Sequence, residues 1–496
     1  MTWTTEQEEV FDFFQNSREN GIVEAVAGSG KTTTIQEGLR RHSIPGGETL
    51  AIAFSADVKK TFEKKLPKVV EKKTFNGLGH GVWAKKIGRN PSLDQNKLSK
   101  TLSNRGIDDP DVYGAVLQVT GLLKQNGVIP PGIQTKKEGL FPADFDSVKQ
   151  LADFHSVDFD REVYEEAMHL LEESIKEAWN GIIDFNDQLY MPTVYGAAFR
   201  KYSLIVVDEA QDLSPIQHEM LTRSKRMQGR IIAVGDSAQA IYGFRGAHTD
   251  SMELLRERFS MHPLSLSISF RCSKNVVAQA QHVVGHIRPQ EDAPQGAVWS
   301  PSSWTLDDIP DGAGVICRVN APLLGLAYRL LQEGRAPKVL GRDIGKGLSK
   351  LVNKLAQTPA DIPTFLSRLK EWERIEIERA RMKEQPQKVR SIMDKAESLK
   401  ALANPEMQST RQLVAAIEEM FNQDKRALVT LSTIHKAKGA EFDNVFVLDH
   451  SMVLPPYHGQ DWEQAQEANM RYVAYTRAIT NLWLVESEDL NEGEEQ

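Results

Sequence analysis

Two cysteines, Cys272 and Cys317, are all that 496 residues contain. So few exclude a disulfide-built scaffold and a cysteine-rich zinc site, and point to a reducing cytoplasm. Long hydrophobic runs are missing too. No stretch approaches the ~20 apolar residues of a membrane-spanning helix, so no membrane partner is expected. The opening segment MTWTTEQEEVFDFF is acidic and amphipathic, unlike a secretory or transit signal. Positive charge is not in excess either. The formal net charge of -8 by itself argues against a nucleic-acid partner.

That charge is unevenly placed. Lys59, Lys60, Lys64, Lys65, Lys68, Lys72 and Lys73 crowd one segment, whereas Glu486, Glu488, Asp489, Glu492, Glu494 and Glu495 dominate the tail. A protein that must release a strand at each step needs a local basic track, not a global positive field. Solvated helix faces would explain the same runs, so charge leaves the question open.

Hydrophobic residues make up 40% of the chain, enough at this length for about three or four domains with real cores. Short apolar, β-rich runs alternate with helical stretches: GIVEAVAG, TLAIAF, SLIVVDE and RIIAVGD, then GVICRV, ALVTL, NVFVLDH and NLWLVES. Such strands, separated by helices, predict parallel sheets covered on both faces. The runs fall into two sets, each interrupted by a long helical insertion. The first insertion spans about 82–179 and the second about 344–424, with Pro386 as an interruption in the second. The expected division is therefore 1–81 with 180–260, insertion 82–179, then 261–343 with 425–496, insertion 344–424. A long charged helix in the second insertion could be an exposed arm, a coiled-coil partner or a DNA-contacting lever.

Residues 25–32 read AVAGSGKT, after an apolar strand and before the helical TTTIQEGLRRH. That is the context of a phosphate-binding loop. Gly28 and Gly30 let backbone N–H groups curl round phosphate oxygens at a helix N-terminus. Lys31 would reach the β- and γ-phosphates, and Thr32 would ligate Mg²⁺. Ala25 stands where the usual first glycine would be. Downstream, SLIVVDEAQD (203–212) ends an apolar strand in two carboxylates. Asp208 suits Mg²⁺, and Glu209 suits the base that deprotonates attacking water. Together the two stretches predict a nucleotide hydrolase.

The stretch IIAVGDSAQAIYGFRGA (231–247) makes the reading specific, for it resembles a motif of superfamily 1 DNA helicases of the UvrD/Rep/PcrA type. The resemblance implies that Gln239 senses the γ-phosphate and that Tyr242, Phe244 and Arg245 face nucleic acid. Aromatic rings stack on any base without reading sequence. TTEQEEV (4–10) is similar to the family's adenine-reading motif, which makes Gln7 the residue for the adenine edge. The stretch around Gly-Lys-Thr places Ala27, Gly28, Ser29, Gly30, Lys31, Thr32 and Thr33 at ATP, although Thr33 stands where relatives often carry arginine. AIAFSADVKKTFEKKL (51–66) and KTFNGLG (73–79) resemble DNA-contacting stretches, implying roles for Phe54, Ser55 and Thr74; Asn76 replaces a usual histidine there. IDFNDQL (183–189) matches a further family stretch.

SISFRCS (267–273), LSTIHKAKGAEFDNVFVLD (431–449) and EANMRYVAYTRA (467–478) complete the family order. They imply Phe270 against adenine, Glu441 on the ribose, His435 at DNA, and Arg271 and Arg477 at the γ-phosphate. The implied architecture is α/β: two RecA-like parallel-sheet domains, each with a mainly helical insertion, ATP in the cleft and DNA across the top. The implied activity is ATP- and Mg²⁺-dependent 3′→5′ movement on single-stranded DNA, with unwinding of tailed duplexes and an unidentified protein loading partner. Two rivals remain: a translocase that strips proteins with little unwinding, and an ATP-gated DNA-binding recombination regulator.

Overall fold

The computed structural model describes residues 2–42, 48–107, 110–135, 138–155, 157–241, 251–356, 360–382, 386–404, 407–421, 428–452 and 461–491. The chain divides into two units, Met1–Ser267 and Ile268–Gln496.

The first unit is built on strands β1 (Gly21–Ala25), β2 (Thr49–Ala53), β3 (Glu71–Thr74), β6 (Tyr202–Val207), β7 (Lys225–Gly235) and β8 (His262–Leu266). A separate two-residue ladder, β4 (Ser92–Leu93) with β5 (Ile182–Ile183), ties together the start and end of the helical insertion. The main sheet runs in the order β3-β2-β6-β7-β1-β8, and every pairing in it is parallel. Alternation along its strands sorts side chains into two cores. Val23, Ala25, Ala51, Ala53, Val206 and Val234 meet Val10, Phe14, Ile35, Leu39 and Phe62 on one face. Ile22, Leu50, Ile52, Ile205, Val207 and Ala233 meet Phe75, Leu78, Trp83, Leu189 and Met220 on the other. A period of two with both faces buried gives unbroken apolar runs.

The insertion's helices, Lys97–Ser103, Pro110–Gln125, Phe145–Phe154 and Arg161–Trp179, share the second of these cores. Inside it lies a quartet of buried charges. Lys124 Nζ donates to Asp184 Oδ2 at 2.6 Å and to Ser174 Oγ at 2.8 Å, and lies 2.7 Å from Asp187 Oδ1. Lys97 Nζ donates to Asp187 Oδ2 at 2.7 Å and to the Ser174 carbonyl at 2.6 Å. Two cations and two anions balance, which is the condition under which full burial is tolerated.

The second unit opens with a two-residue ladder of β9 (Ile268–Ser269) and β10 (Arg288–Pro289). Its main strands are β11 (Ala297–Trp299), β12 (Gly314–Cys317), β13 (Pro337–Val339), β14 (Val429–Thr433), β15 (Phe442–Leu448) and β16 (Ala478–Val485), in the order β11-β16-β15-β12-β14-β13. All pairings are again parallel. Helices Arg342–Ala356, Ile362–Met382, Pro386–Leu402 and Thr410–Met420 form the insertion, with Pro386 at a helix start, where its missing N–H is harmless. Asp394 anchors this insertion to the start of the helix Ala321–Gln332 that follows β12: Oδ1 accepts from the Asn320 and Ala321 N–H groups, and Oδ2 from Asn320 Nδ2.

Both units are thus parallel-sheet α/β domains with mainly helical insertions. Boundaries differ in detail from the sequence expectation. Residues 262–266 were expected in the second domain, yet β8 pairs with β1 and closes the first sheet. The stretch HPLSL is a polar, proline-bearing edge strand and carries no apolar run to betray it. The helix Phe75–Ile87 also runs through the expected boundary at 82 without a break.

The quartet gives a direct test of how the insertion is held. Lys124→Ala leaves Asp184 and Asp187 buried against a single remaining lysine, and should cost about 3–5 kcal/mol in urea unfolding. A loss under about 0.5 kcal/mol, the scale of an ordinary surface change, would show that the quartet does not hold the insertion.

Candidate nucleotide site and adjoining surface

Strands β6, β7 and β1 are sheet neighbours and run parallel, so their carboxyl ends open on one edge. Ligands of open parallel sheets bind at such an edge. After β1 the backbone enters the left-handed region at Gly28 (φ 75) and again at Gly30 (φ 77), where a Cβ would cost roughly 1–2 kcal/mol. The Ser29 N–H donates to the Val26 carbonyl at 3.1 Å, and the Thr34 N–H donates to the Gly30 carbonyl at 2.8 Å, opening the helix Lys31–Arg41. No side chain caps that helix, which suits an anion. Lys31 Nζ folds back to the Ala25 carbonyl at 3.3 Å. Ala27 and Ser29 are buried, and Ser29 Oγ has no hydrogen-bond partner among the described residues, a demand that a phosphate oxygen would meet.

The end of β6 supplies the carboxylates. Burial, reinforced by the neighbouring Glu209 carboxylate, pushes the Asp208 carboxyl up to about 7, against the pull of Lys31 and of hydrogen bonds from the Glu209 N–H and the Thr32 hydroxyl. Thr32 and Asp208 are thereby joined, offering hard oxygen donors where a cation would favour ionising a buried acid. These residues fit Mg²⁺. No cluster of three or more His, Cys, Asp or Glu exists among the described residues, so such an ion would complete its shell from phosphate and water. Glu209 itself sits at φ 54, ψ 45, a conformation costing a non-glycine residue about 1–3 kcal/mol.

A chain of hydrogen bonds holds it there. The Glu209 N–H donates to Asp208 Oδ1 at 3.0 Å, and Gln211 Nε2 donates to Glu209 Oε2 at 2.6 Å. The other end of the buried Gln211 amide accepts from the Asp236 N–H at 3.0 Å, just past β7. Asp236, whose carboxyl is raised by burial, accepts from Gln239 Nε2 at 2.5 Å and from the Ala238 N–H at 3.2 Å. Across from it, Glu24 on β1 accepts from the Ser237 N–H at 2.7 Å and from Ser237 Oγ at 2.8 Å. The turn bearing Gln239 is therefore fixed from two strands.

Gln7 lies on the helix Thr5–Asn16, where TTEQ also forms a capping box: the Gln7 N–H donates to Thr4 Oγ1 and the Thr4 N–H donates to Gln7 Oε1. Its Nε2 donates to Thr34 Oγ1 at 3.3 Å, on the helix of the phosphate loop. Arg41 links the same two helices by its ion pair with Glu8 and by stacking over Phe11, and pairs within its own helix with Glu37. Hydrogen bonds from Arg40 and then Arg41 draw the Glu37 carboxyl down to about 2. Thr33 is partly exposed beside Thr34.

Along the same sheet edge, Phe54 follows β2 and is 42% exposed. Ser55 and Thr74 each cap a helix, accepting from the Val58 and Gly77 N–H groups. Asn76 Nδ2 donates to the Phe185 carbonyl at 2.8 Å, and Phe185 is 48% exposed. Phe54 and Phe185 are thus both exposed rings of the first unit. Tyr242, Phe244 and Arg245 lie outside the described residues.

In the second unit Arg271 pairs with Glu441 and donates through Nη1 to the Thr476 carbonyl at 3.0 Å. Phe270 beside it is 40% exposed. Arg477 is only 1% exposed; it donates through Nε to the Val473 carbonyl at 3.0 Å, through Nη1 to the Ala440 carbonyl at 3.3 Å, and through Nη2 to Thr476 Oγ1 at 3.3 Å. Its guanidinium works inside the unit rather than at its surface. His435 is partly buried on the short helix Ile434–Ala437 that follows β14.

Sequence reading missed Glu24, Gln211, Thr34 and Phe185. Glu24 carried a signal, being a charge in an otherwise apolar central strand, and Phe185 was an aromatic flanked by polar residues. Gln211 and Thr34 had none, since their meaning lies in partners distant along the chain.

A duplicated parallel α/β sheet with a phosphate loop at the carboxyl edge of one copy defines a RecA-like nucleotide-binding protein. Comparison with known families narrows this. A model of the UvrD/REP helicase N-terminal domain matches residues 3–260, and one of the UvrD-like helicase C-terminal domain matches residues 343–489. The chain belongs to the UvrD/REP helicase family. It is similar to the F-box DNA helicase protein 1 of Schizosaccharomyces pombe, with 26% identity over 97% of this chain and 57% of the relative. The probable DNA helicase II homolog of Mycoplasma pneumoniae is 21% identical over 58% of this chain and 54% of its own. DNA helicase II of Haemophilus influenzae is 24% identical over 54% and 38% respectively. The chain thus spans about half the length of the curated relatives it matches. No helix among the described residues is long and apolar enough to cross a membrane.

The hydrogen-bonded edge can be probed without touching a charged group. A Cβ at Gly235 would stand 2.6 Å from Gln211 Oε1 and 2.7 Å from Met252 Sδ. Gly235→Ala should therefore displace Gln211 and lower stability by about 1–3 kcal/mol in urea unfolding. Wild-type stability would show that the edge yields without strain.

Proposed function

We propose that this protein is an ATP-dependent DNA translocase and helicase that moves 3′→5′ on single-stranded DNA. What supports the reading is the meeting of Lys31, Thr32, Asp208, Glu209 and Gln239 at the ends of three adjacent strands, in a chain of the UvrD/REP helicase family. The names of its relatives describe DNA helicases, and that activity is carried over here as part of the proposal.

In this reading the N–H groups of the loop through Gly28 and Gly30 hold phosphate oxygens, with Lys31 neutralising the β- and γ-phosphates. Thr32 and Asp208 would hold Mg²⁺, which supplies charge neutralisation on the phosphates. Glu209 takes the proton of the attacking water, and its fixed backbone and the hydrogen bond from Gln211 keep the carboxylate aimed. Gln239 faces the γ-phosphate, and Gln7 with Phe270 addresses the adenine. Glu441 takes the ribose, for which it must release Arg271. Arg271 is then available to developing phosphate charge, as is Arg477 once its backbone bonds yield. On the nucleic-acid side Phe54, Phe185, Tyr242 and Phe244 stack on bases, while Ser55, Thr74, Arg245 and His435 meet the strand.

Chemistry and direction are tested separately. Lys31→Ala and Glu209→Gln should each abolish DNA-stimulated ATPase, with Glu209→Gln still binding ATP because only the base is removed. Steady-state hydrolysis near wild type in either would refute these roles. Arg271→Ala should cut turnover far more than affinity; for Arg477→Ala a simple loss of folding stability would mark that residue as structural.

Strand displacement should require a 3′ single-stranded tail, ATP and Mg²⁺, and strand binding should weaken steeply with salt. Unwinding of 5′-tailed duplexes alone would reverse the direction. Strong DNA-stimulated ATPase without unwinding would favour a protein-stripping translocase, and salt-insensitive binding would favour a regulator that acts through protein contacts.

A further inference from the structure

We propose that Thr34 is a specificity-determining positioning residue, whose hydroxyl holds the Gln7 amide in the one orientation that matches adenine and rejects guanine. The inference rests on the reading of this unit as an ATP site.

The orientation follows from which groups can donate. The Thr4 backbone N–H lies 3.1 Å from the Gln7 amide, and an N–H can only donate, so the amide atom facing it is Oε1. That places Nε2 toward Thr34, whose Oγ1 accepts from it at 3.3 Å. Both partners are shielded from water, Gln7 being 4% exposed and Thr34 2%. Each amide atom spends one hydrogen bond inside the protein and keeps one more capacity: a second lone pair on Oε1 and a second proton on Nε2.

An acceptor beside a donor complements adenine, which offers the N6 amino group and the N7 acceptor on one edge. Guanine offers O6 and N7 there, two acceptors, and Oε1 would face O6 with no proton between them. Turning the amide over would pair Nε2 with O6 but set Oε1 against N7, and would also turn Nε2 against the Thr4 N–H. Thr4 therefore fixes the polarity of the amide. Thr34 fixes its place, since the terminal torsion of glutamine is otherwise broad.

Thr34 is also where base reading meets phosphate binding. Its N–H makes the first hydrogen bond of the helix Lys31–Arg41, to Gly30, and only Thr32 and Thr33 separate it from Lys31. An amide anchored there moves with the phosphate loop, so the base is read in register with the phosphates.

The experiment compares the full chain with Thr34→Val, which keeps the shape and removes the hydroxyl, and with Thr34→Ser, which keeps the hydroxyl. For each, kcat and KM are measured with ATP and with GTP on single-stranded DNA, and the two nucleotides are also competed at equilibrium. Loss of one buried hydrogen bond to the amide should lower the ATP-over-GTP preference of Thr34→Val about tenfold in both assays, on KM rather than kcat. Thr34→Ser should stay within about twofold of wild type, and Gln7→Ala combined with Thr34→Val should lose no more than Gln7→Ala alone.

A wild-type preference in Thr34→Val, beside a reduced one in Gln7→Ala, would overturn the proposal. So would a Thr34→Ser variant as impaired as Thr34→Val. If the wild-type chain binds ATP without hydrolysing it, the proposed function fails and the equilibrium competition still decides the role of Thr34. If it binds neither nucleotide, both fail.

Discussion

A parallel sheet imposes one rule on everything built from it: all strands finish on the same edge. Here β6, β7 and β1 are adjacent, so three stretches far apart in the chain are forced together at one place. The loop after β1 contributes glycines and a lysine, the end of β6 two carboxylates, and the turn after β7 a glutamine. None of them is isolated there: Thr32 bonds to Asp208, Gln211 joins Glu209 to the Asp236 N–H, and Gln239 bonds to Asp236. The left-handed Glu209 is tolerated for the same reason. Asp208 and Gln211 brace it directly, and Asp236 at the end of the neighbouring β7 holds Gln211 in place.

The same rule explains which strands could be read in the sequence. In the first sheet β2, β6, β7 and β1 are central and were legible as apolar runs; in the second, β16, β15, β12 and β14 were. The four edge strands were not. β3 reads EKKT and β8 reads HPLSL, while β11 and β13 are three residues each. A central strand must be apolar on both faces, which the sequence cannot hide. An edge strand is half solvated and can be polar, short or interrupted by proline. Pairing partners, not local composition, make these segments strands, and that is why the end of the first unit fell seven residues beyond its expected place.

Side chains divide in a similar way. Residues whose chemistry depends on local spacing, such as Gly28, Gly30, Lys31 and the Asp208–Glu209 pair, were visible because a few neighbours suffice to define them. Residues defined by a distant partner were hidden or only half seen. TTEQ was read as a base-reading motif, but it is also a helix cap, and both uses fall on the same amide of Gln7. Arg477 stands where a charge-stabilising arginine is expected, yet its guanidinium is engaged by Val473, Ala440 and Thr476 within its own unit. Sequence supplies the residue type at such a position, and packing decides how much of it is presented.

Asp187 belongs to two structures at once. It opens the helix Asp187–Val194, which leads toward β6 and so toward Glu209, and it is also the anion shared by Lys97 and Lys124 of the insertion. Sliding the insertion across the sheet would pull opposite charges apart in a medium that cannot solvate them. The quartet therefore behaves as a shear pin. A load applied to the insertion's helices would pass through Asp187 into the helix Asp187–Val194, which precedes the strand that ends at Glu209.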